Sequence, residues 1–589
     1  MNENSSISQT FEHILGVKFT WYDNSFFLLM LIISAFIGIY YGFYKKQTTA
    51  KDYLLGGKSM TVFPTALSLT ANNVSGIALL AIPPDVYSHG IAYWITYVSA
   101  SVVVFTSYWI FVPVFYSLGK NSTFEYLKLR FDTKTRLLGS GLFLISRLLY
   151  LPIVIYIPAL ALAQATGLNI HLITILVCVV CIFYTSVGGL KAVVYSDALQ
   201  STVMIGTLII AFTLGVIRCG GLGNVWTVSL ENDRLNLSSD LDLTKRDSIW
   251  AVTIGAFVAW TAFTGINQIY IQKCLALPTK SDVIKVLCIF SFGLILIGSL
   301  TNFMGLVMFT EYENCDPVEA GILNKPDQLL PYYIMDLSKQ LPGLAGLFVA
   351  GIFSAALSTL SASLNSLSCT IYEDFLSKYI PKHTSQQKIS TILKIIVVIT
   401  GVICTTLVLV VEKLGGLLAL TNSMEGVTSG SILGLFVAGM LIPKINAKGA
   451  FYGCIASMSI MAFVVFGSQF YQNSGYLIDL PLPVSTEGCP SNLKNVTKFD
   501  DVLRTSHADI PYIFRIQFYW YGLMGLILCI MFALIISIFT RNYNKEVPRE
   551  LLSPVILPFI SKKREIEMKN HGVYKSLDQT LEFLENERN

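Results

Sequence analysis

Charge is what this chain has least of. Asp, Glu, Lys and Arg make up 13% of its 589 residues, about half of what a soluble globular domain carries. So little charge over such a length argues against a soluble enzyme or binding module. Histidine is scarce as well, with six residues, and no Ser, His and Asp set assembles into a nucleophilic triad. A Walker motif, a dinucleotide fingerprint and HExxH are all missing, which argues against an ATP-driven pump and a membrane peptidase. Catalytic chemistry is therefore not expected. Nor is nucleic-acid binding, because the basic residues lie in short loops that alternate along the chain.

Apolar sequence is abundant instead. Hydrophobic residues reach 53%, and mean hydropathy is +0.61. Runs of about 20 apolar residues, the length that crosses about 30 Å of hydrocarbon as a helix, recur throughout. Their length argues for helices over a barrel. We read an all-α polytopic membrane protein with about 13 transmembrane helices, at 26–44, 61–82, 90–113, 138–163, 170–188, 197–217, 250–270, 287–309, 342–371, 389–411, 415–437, 448–470 and 518–540. The first run, Phe26 to Tyr44, lacks a basic lead and a small-residue cleavage site, so it reads as a span and not a removed signal. Most of the 11 Cys lie in apolar runs as small buried hydrophobes, whereas Cys219, Cys315 and Cys489 fall in or beside polar loops.

Lys and Arg concentrate in alternate loops. They include Lys45 to Lys58, Lys120 to Arg136, Lys191, then Lys273, Lys280 and Lys285, then Lys378 to Lys388, then Lys444 and Lys448, and finally the tail from Arg541. The positive-inside bias makes that side cytoplasmic. A multi-pass plasma-membrane protein follows, with residues 1–25 and the loop 471–517 outside and the tail 541–589 inside. The acceptor triplets at Asn4, Asn236 and Asn495 fall on the outer side and are glycosylation candidates; Asn121 falls inside and should be silent.

Polar residues inside the spans carry the chemistry. Ala71-Asn72-Asn73-Val74-Ser75-Gly76 interrupts an apolar helix, and Pro64 and Pro83-Pro84 bracket it. Adjacent amides are costly in hydrocarbon unless paired. A helix broken there would free carbonyls for a cation, although small residues alone also favour tight helix contacts. Asn72, Asn73 and Ser75 are candidates to line a solute site. Farther on, Ala355 to Phe375 holds seven Ser and Thr residues. Ala355, Ser358 and Thr359 share one helical face. Their oxygens suit a hard alkali cation, or they serve as bonds to preceding carbonyls and neighbouring helices. Asp197 reads as the start of a span at the cytoplasmic edge, where it either assists a passing cation or caps its helix. Gln268 is a lining candidate, with polar glue at a helix end as the alternative. Arg147, inside a span, either pairs with solute or reaches water or a carbonyl; the structural role is preferred.

Taken in order, several segments resemble the sodium/solute symporter family. They are Asp52-Tyr53-Leu54-Leu55-Gly56-Gly57, Tyr184 to Gln200, the NQIYIQK run from Asn267, the hydroxyl-rich stretch, and Ser429 to Phe436 followed by Ala438-Gly439-Met440 and Pro443. The resemblance is to the branch of monocarboxylate, multivitamin and iodide symporters. The sugar branch typically has a His where Ala78 stands here. The resemblance implies an inverted five-helix repeat of LeuT-like type as a ten-helix core over 61–437, one leading helix at 26–44, and two additional helices within 448–540. It also implies a Na+ site made of Ala71, Val74, Ala355, Ser358 and Thr359. The expected partners are Na+ as co-transported ion, with no other cofactor, a small organic anion such as a monocarboxylate, biotin or pantothenate, and the bilayer. Iodide, a sugar or inositol as substrate, or a non-transporting sensor or channel of the same fold, are the alternatives.

Overall fold

A computed structural model describes residues 21–540 and 547–560, apart from 490–509 and the short gaps 46, 167, 324, 382, 415–416 and 478–480. Long helices dominate it. In chain order they are α1 (Trp21–Ile39), α2 (Val62–Asn73), α3 (Gly76–His89), α4 (Trp94–Ile110), α5 (Thr133–Thr166) and α6 (Ile170–Arg218). There follow α7, a run of π- and α-turns over Ala251–Ile266, then α8 (Gln268–Leu275), α9 (Lys280–Glu311), α10 (Leu344–Thr370) and α11 (Gln386–Leu414). The last three are α12 (Leu417–Leu441), α13 (Ala447–Asn473) and α14 (Tyr521–Phe539). Asn4 and Asn495 lie outside the described residues, as does the tail beyond 560.

Among the described residues, nine helices are long and apolar enough to cross a membrane, or eleven if each of two bent pairs is one span. The difference from about 13 has a visible source. Helix α6 counts once although it has 49 residues, about 74 Å at 1.5 Å per residue and more than twice a hydrocarbon core. It turns at Gly189, where φ is 55° and ψ is −156°. A Cβ there would meet Gln47 Oε1 at 2.8 Å and the Tyr53 carbonyl at 2.9 Å, so only glycine fits. Tyr53 is fully buried, and its hydroxyl donates to the Thr185 and Ser186 carbonyls, each at 3.2 Å. The Asp52 to Gly57 segment is thus the seat of this turn.

Helix α10 occupies the centre, with 94% of its spanning window buried. It packs on α1, α2, α5, α6 and α11. Its Gly, Ala and Ser residues allow those backbones to approach closely, which drives helix association where lipid removes the hydrophobic advantage. The leading helix α1 seals one flank. Asp23 on it is buried and accepts from Gly346 N at 2.8 Å, in the first turn of α10, where the helix dipole favours an anion.

Two caps position the ends of the core. On one side a Cys315–Cys489 disulfide joins two loops. Arg234, fully buried there, donates to the Ser88 carbonyl at 3.1 Å and the Pro483 carbonyl at 2.6 Å. Burial lowers its guanidinium to about 10, still charged at neutral pH. Cys219, by contrast, is a buried free thiol. On the other side Arg130 caps α12 by donating to the carbonyls of Gly439 at 2.9 Å and Ile445 at 3.1 Å. The segment after α14 returns to this face, where the Leu551 carbonyl accepts from Tyr126 Oη at 3.1 Å.

Candidate functional site

Both bent pairs break at polar residues. Helices α2 and α3 are inclined by 56° and α7 and α8 by 46°. Val74 is extended, with φ −102° and ψ 92°. Ser75 then caps α3, its hydroxyl accepting from Ala78 N at 3.2 Å. Asn267 does the same for α8, accepting from Ile269 N at 3.0 Å. Such breaks leave backbone groups without intrahelical partners. Gly76 starts α3 hard against α10, since a Cβ there would meet the Ile352 carbonyl at 3.1 Å.

The hydroxyl face of α10 meets the first break. Val74 and Ala355 share one small buried cluster with Leu79, Met204 and Leu208. Ser358 Oγ donates to Asn72 Oδ1 at 3.2 Å, and Thr359 Oγ1 donates to the Ala355 carbonyl at 3.0 Å. Thr359 therefore makes the back-bond to its own helix that the sequence allowed for, and its oxygen retains lone pairs for another partner. Ala71, Val74, Ala355, Ser358 and Thr359 are all buried.

A denser network lies beside this face. Asp197 is fully buried, and its Oδ2 accepts from Ser68 Oγ at 2.7 Å, Asn72 Nδ2 at 3.0 Å and Lys273 Nζ at 3.0 Å. Its Oδ1 accepts from Ser361 Oγ at 3.2 Å. Residues of α2, α6, α8 and α10 thus converge on one carboxylate. Asp197 does not start a helix, as the sequence reading had it. The second arm of α6 begins after the Gly189 turn, and Asp197 lies about two turns beyond it. Capping is excluded as its role.

The loop-charge pattern places Lys273 in a basic cytoplasmic loop, but the structure buries it. Its ammonium is 1% exposed and sits inside the protein. A tally of loop charges ignores register, and the run Cys274-Leu275-Ala276-Leu277 after Lys273 is a weak signal, since Val286 and Leu287 follow Lys285 in the same way. Gln268 also differs from its expected place. Its amide is spent on the 121–123 backbone, accepting from Thr123 N at 2.8 Å and donating to the Asn121 carbonyl at 2.8 Å. It clamps a loop and is not free to line a solute cavity. Asn72 is likewise committed to Asp197 and to the Ser68 carbonyl, at 2.6 Å. Asn73 is different, since its buried Nδ2 has no hydrogen-bond partner.

Arg147 lies well inside α5. It is mostly buried, with a side chain 13% exposed, so it does not reach water as a surface residue would. Among the described residues its nearest carboxylate is Glu425 of α12 at 4.0 Å, too long for a hydrogen bond. The rings of Phe143 and Tyr150 lie 5.9 and 5.4 Å from the guanidinium. The buried Nε has no partner. The Tyr150 hydroxyl is within reach of Ser75, which links Arg147 to the first helix break.

Comparison with known proteins gives a consistent result. A model of the sodium:solute symporter family matches residues 53–457. Sodium-coupled monocarboxylate transporter 1 of Xenopus laevis is 38% identical over 555 residues, covering 91% of this chain and 88% of that protein. The Homo sapiens protein of that name is 34% identical over 586 residues, covering 97% and 94%. Among solved structures, a Na+-coupled sialic acid symporter in an outward-open state superposes with a TM-score of 0.73 at 22% identity, covering 90% of this chain and all of that one. Mhp1, a nucleobase-cation-symport-1 family transporter, superposes with a TM-score of 0.51 at 14% identity, covering 85% and 97%. At those identities the structures establish the fold.

Proposed function

This chain belongs to the sodium:solute symporter family, and we propose on that footing that it imports a small organic anion together with Na+ by alternating access. It is a transporter and not an enzyme. The substrate class is a monocarboxylate or a vitamin carboxylate, as the names of its sodium-coupled monocarboxylate relatives support. The observation that carries the reading is the meeting of the broken α2–α3 span with the hydroxyl face of α10, where Ser358 bonds Asn72 beside the interruption at Val74. Ala71, Val74, Ala355, Ser358 and Thr359 supply the Na+ ligands, using backbone carbonyls at the break and two hydroxyls. Asp197 lies beside the ion's path.

Arg147 receives the solute's carboxylate. A buried guanidinium Nε without an acceptor is costly at membrane depth, and an incoming carboxylate provides the bidentate partner that the fork matches. Ser75 and the partnerless amide of Asn73 border the same break. Glu425 keeps the empty site near neutrality from 4.0 Å.

The topology we propose has thirteen spans. Counting the arms of α6 separately at Gly189 adds one to the eleven, and α12 adds another. An odd number puts the two ends on opposite faces, and the Lys and Arg bias of the loops assigns the first residues to the outside and the tail to the inside of the plasma membrane. The Cys315–Cys489 disulfide, on the side of the exposed Asn236, is compatible with an oxidising exterior. Labelled lactate, nicotinate, biotin and pantothenate, with iodide and inositol as comparators, test the substrate class. Transport of iodide or inositol with none of the carboxylates overturns it.

A further inference from the structure

The Asp197 pocket already contains a cation. Lys273 Nζ lies 3.0 Å from Asp197 Oδ2, 2.6 Å from Ser68 Oγ and 3.3 Å from the Ser68 carbonyl. A carboxylate, a hydroxyl and a carbonyl are the oxygen donors that hold a hard cation. Ser361 Oγ completes the ring on the far carboxylate oxygen at 3.2 Å. The ammonium is delivered by α8, and that short helix is itself fixed. Gln268 ties its start to the Asn121 carbonyl, and Gln272 Nε2 donates to the Leu54 carbonyl at 2.7 Å. Lys273 is therefore placed in the pocket by its own helix and does not fold into it from solvent.

We propose that Lys273 is a tethered cation: it fills a sodium-type site on Asp197, so that the protein itself satisfies this position and no ion is drawn from solution. The inference rests on the reading above that Asp197 lies beside the sodium path. Two consequences follow. Asp197 stays neutralised when the ion has left, so the unloaded carrier can reorient without a bare carboxylate at membrane depth. The chain also binds one Na+ fewer than the same pocket would without its lysine. A purely structural pair has a different signature. Buried ion pairs that only hold helices together are often replaceable by apolar groups, and their removal does not create an ion site.

The test is equilibrium binding of 22Na+ to the purified full-length protein in lipid nanodiscs, with choline as the balancing cation. Three forms are compared: wild type, Lys273→Gln, and Lys273→Gln with Asp197→Asn. The proposal predicts one additional Na+ per protein in Lys273→Gln and a return to the wild-type number in the double variant. Equal numbers in wild type and Lys273→Gln overturn it, as does an extra ion that survives Asp197→Asn. If Lys273→Gln yields too little protein, its thermal unfolding is followed in detergent extracts against NaCl, with choline chloride as control. A midpoint that climbs more steeply with Na+ than in wild type supports the tethered cation; an equal slope refutes it. Wild type that binds no 22Na+ at all refutes the sodium-coupled reading instead, so the two failures are distinguishable.

Discussion

Replacing Ser358 and Thr359 together by Ala should raise the Na+ concentration for half-maximal uptake by about 10- to 100-fold while the protein still reaches the surface. The folding cost is small because each hydroxyl has one modest bond. Ser358 donates to Asn72 at 3.2 Å, and Asn72 keeps its own bonds to the Ser68 carbonyl and Asp197 at 2.6 and 3.0 Å. Thr359 donates only within its helix, at 3.0 Å. Losing both costs about 1–2 kcal/mol of stability. The ion loses more. A contact between a polar group and a charge contributes about 1.5–3 kcal/mol, and each 1.4 kcal/mol is about tenfold in affinity. With water partly replacing one lost ligand, about 1.5–3 kcal/mol remains. The assay is labelled carboxylate uptake against Na+, balanced with choline and normalised to surface-labelled protein. Ser366→Ala and Ser368→Ala are the controls, since those hydroxyls donate to Ser363 and Asn365 of their own helix at 3.0 and 2.7 Å. Normal Na+ dependence in the double variant, with altered dependence in the controls, would refute the site and move the ion along α10.

Arg147→Gln should raise the half-saturating carboxylate concentration at least tenfold, about 1.4 kcal/mol, with surface level retained. Arg147→Lys should recover only part of it, because an ammonium lacks the planar fork; an unchanged half-saturation in Arg147→Gln removes the residue from the solute site. Asp197→Asn should lower both surface level and maximal rate, since removing one member of a buried pair costs about 3–5 kcal/mol. A variant with wild-type maximal rate and Na+ affinity per surface molecule would leave Asp197 with no part in the ion path. Cys315→Ser should destabilise by about 2–5 kcal/mol, seen as a lower thermal midpoint, and Cys489→Ser added to it should do no further harm; additive losses would contradict the pairing.

Much of the fold was readable because apolar run length, helix-breaking polar patches and glycine each have one dominant physical meaning here. The break at Asn73 to Ser75 was legible since two adjacent amides have no cheap place in hydrocarbon unless they are hydrogen-bonded. The hydroxyl face of α10 was legible from its i, i+3 and i+4 spacing. The misplacements share a cause, which is that the decisive facts are tertiary. The span boundary near 188 falls at the Gly189 turn, yet the following arm reads as starting at Asp197 because an acid reads as a helix beginning. Lys273 reads as a loop charge until α8 is seen folded inward on Asn267. Gln268 reads as a lining residue until the 121–123 loop takes up its amide. Arg147 could be weighed only once its unpartnered Nε and the rings beside it were visible, because a sequence gives position along a helix but not what the neighbouring helices present.

The central claim is coupling of a Na+ gradient to an organic anion, and it is tested most directly by accumulation in sealed vesicles. Proteoliposomes holding the full-length chain are given labelled carboxylates, the four of the substrate panel, with an inward Na+ gradient or with choline in its place. The account predicts that at least one carboxylate rises inside above its external concentration under the Na+ gradient. An interior-negative potential should increase it further, since each coupled charge in excess adds about 2.3 kcal/mol per 100 mV. Equal uptake in Na+ and choline, levelling at the external concentration, would contradict the account.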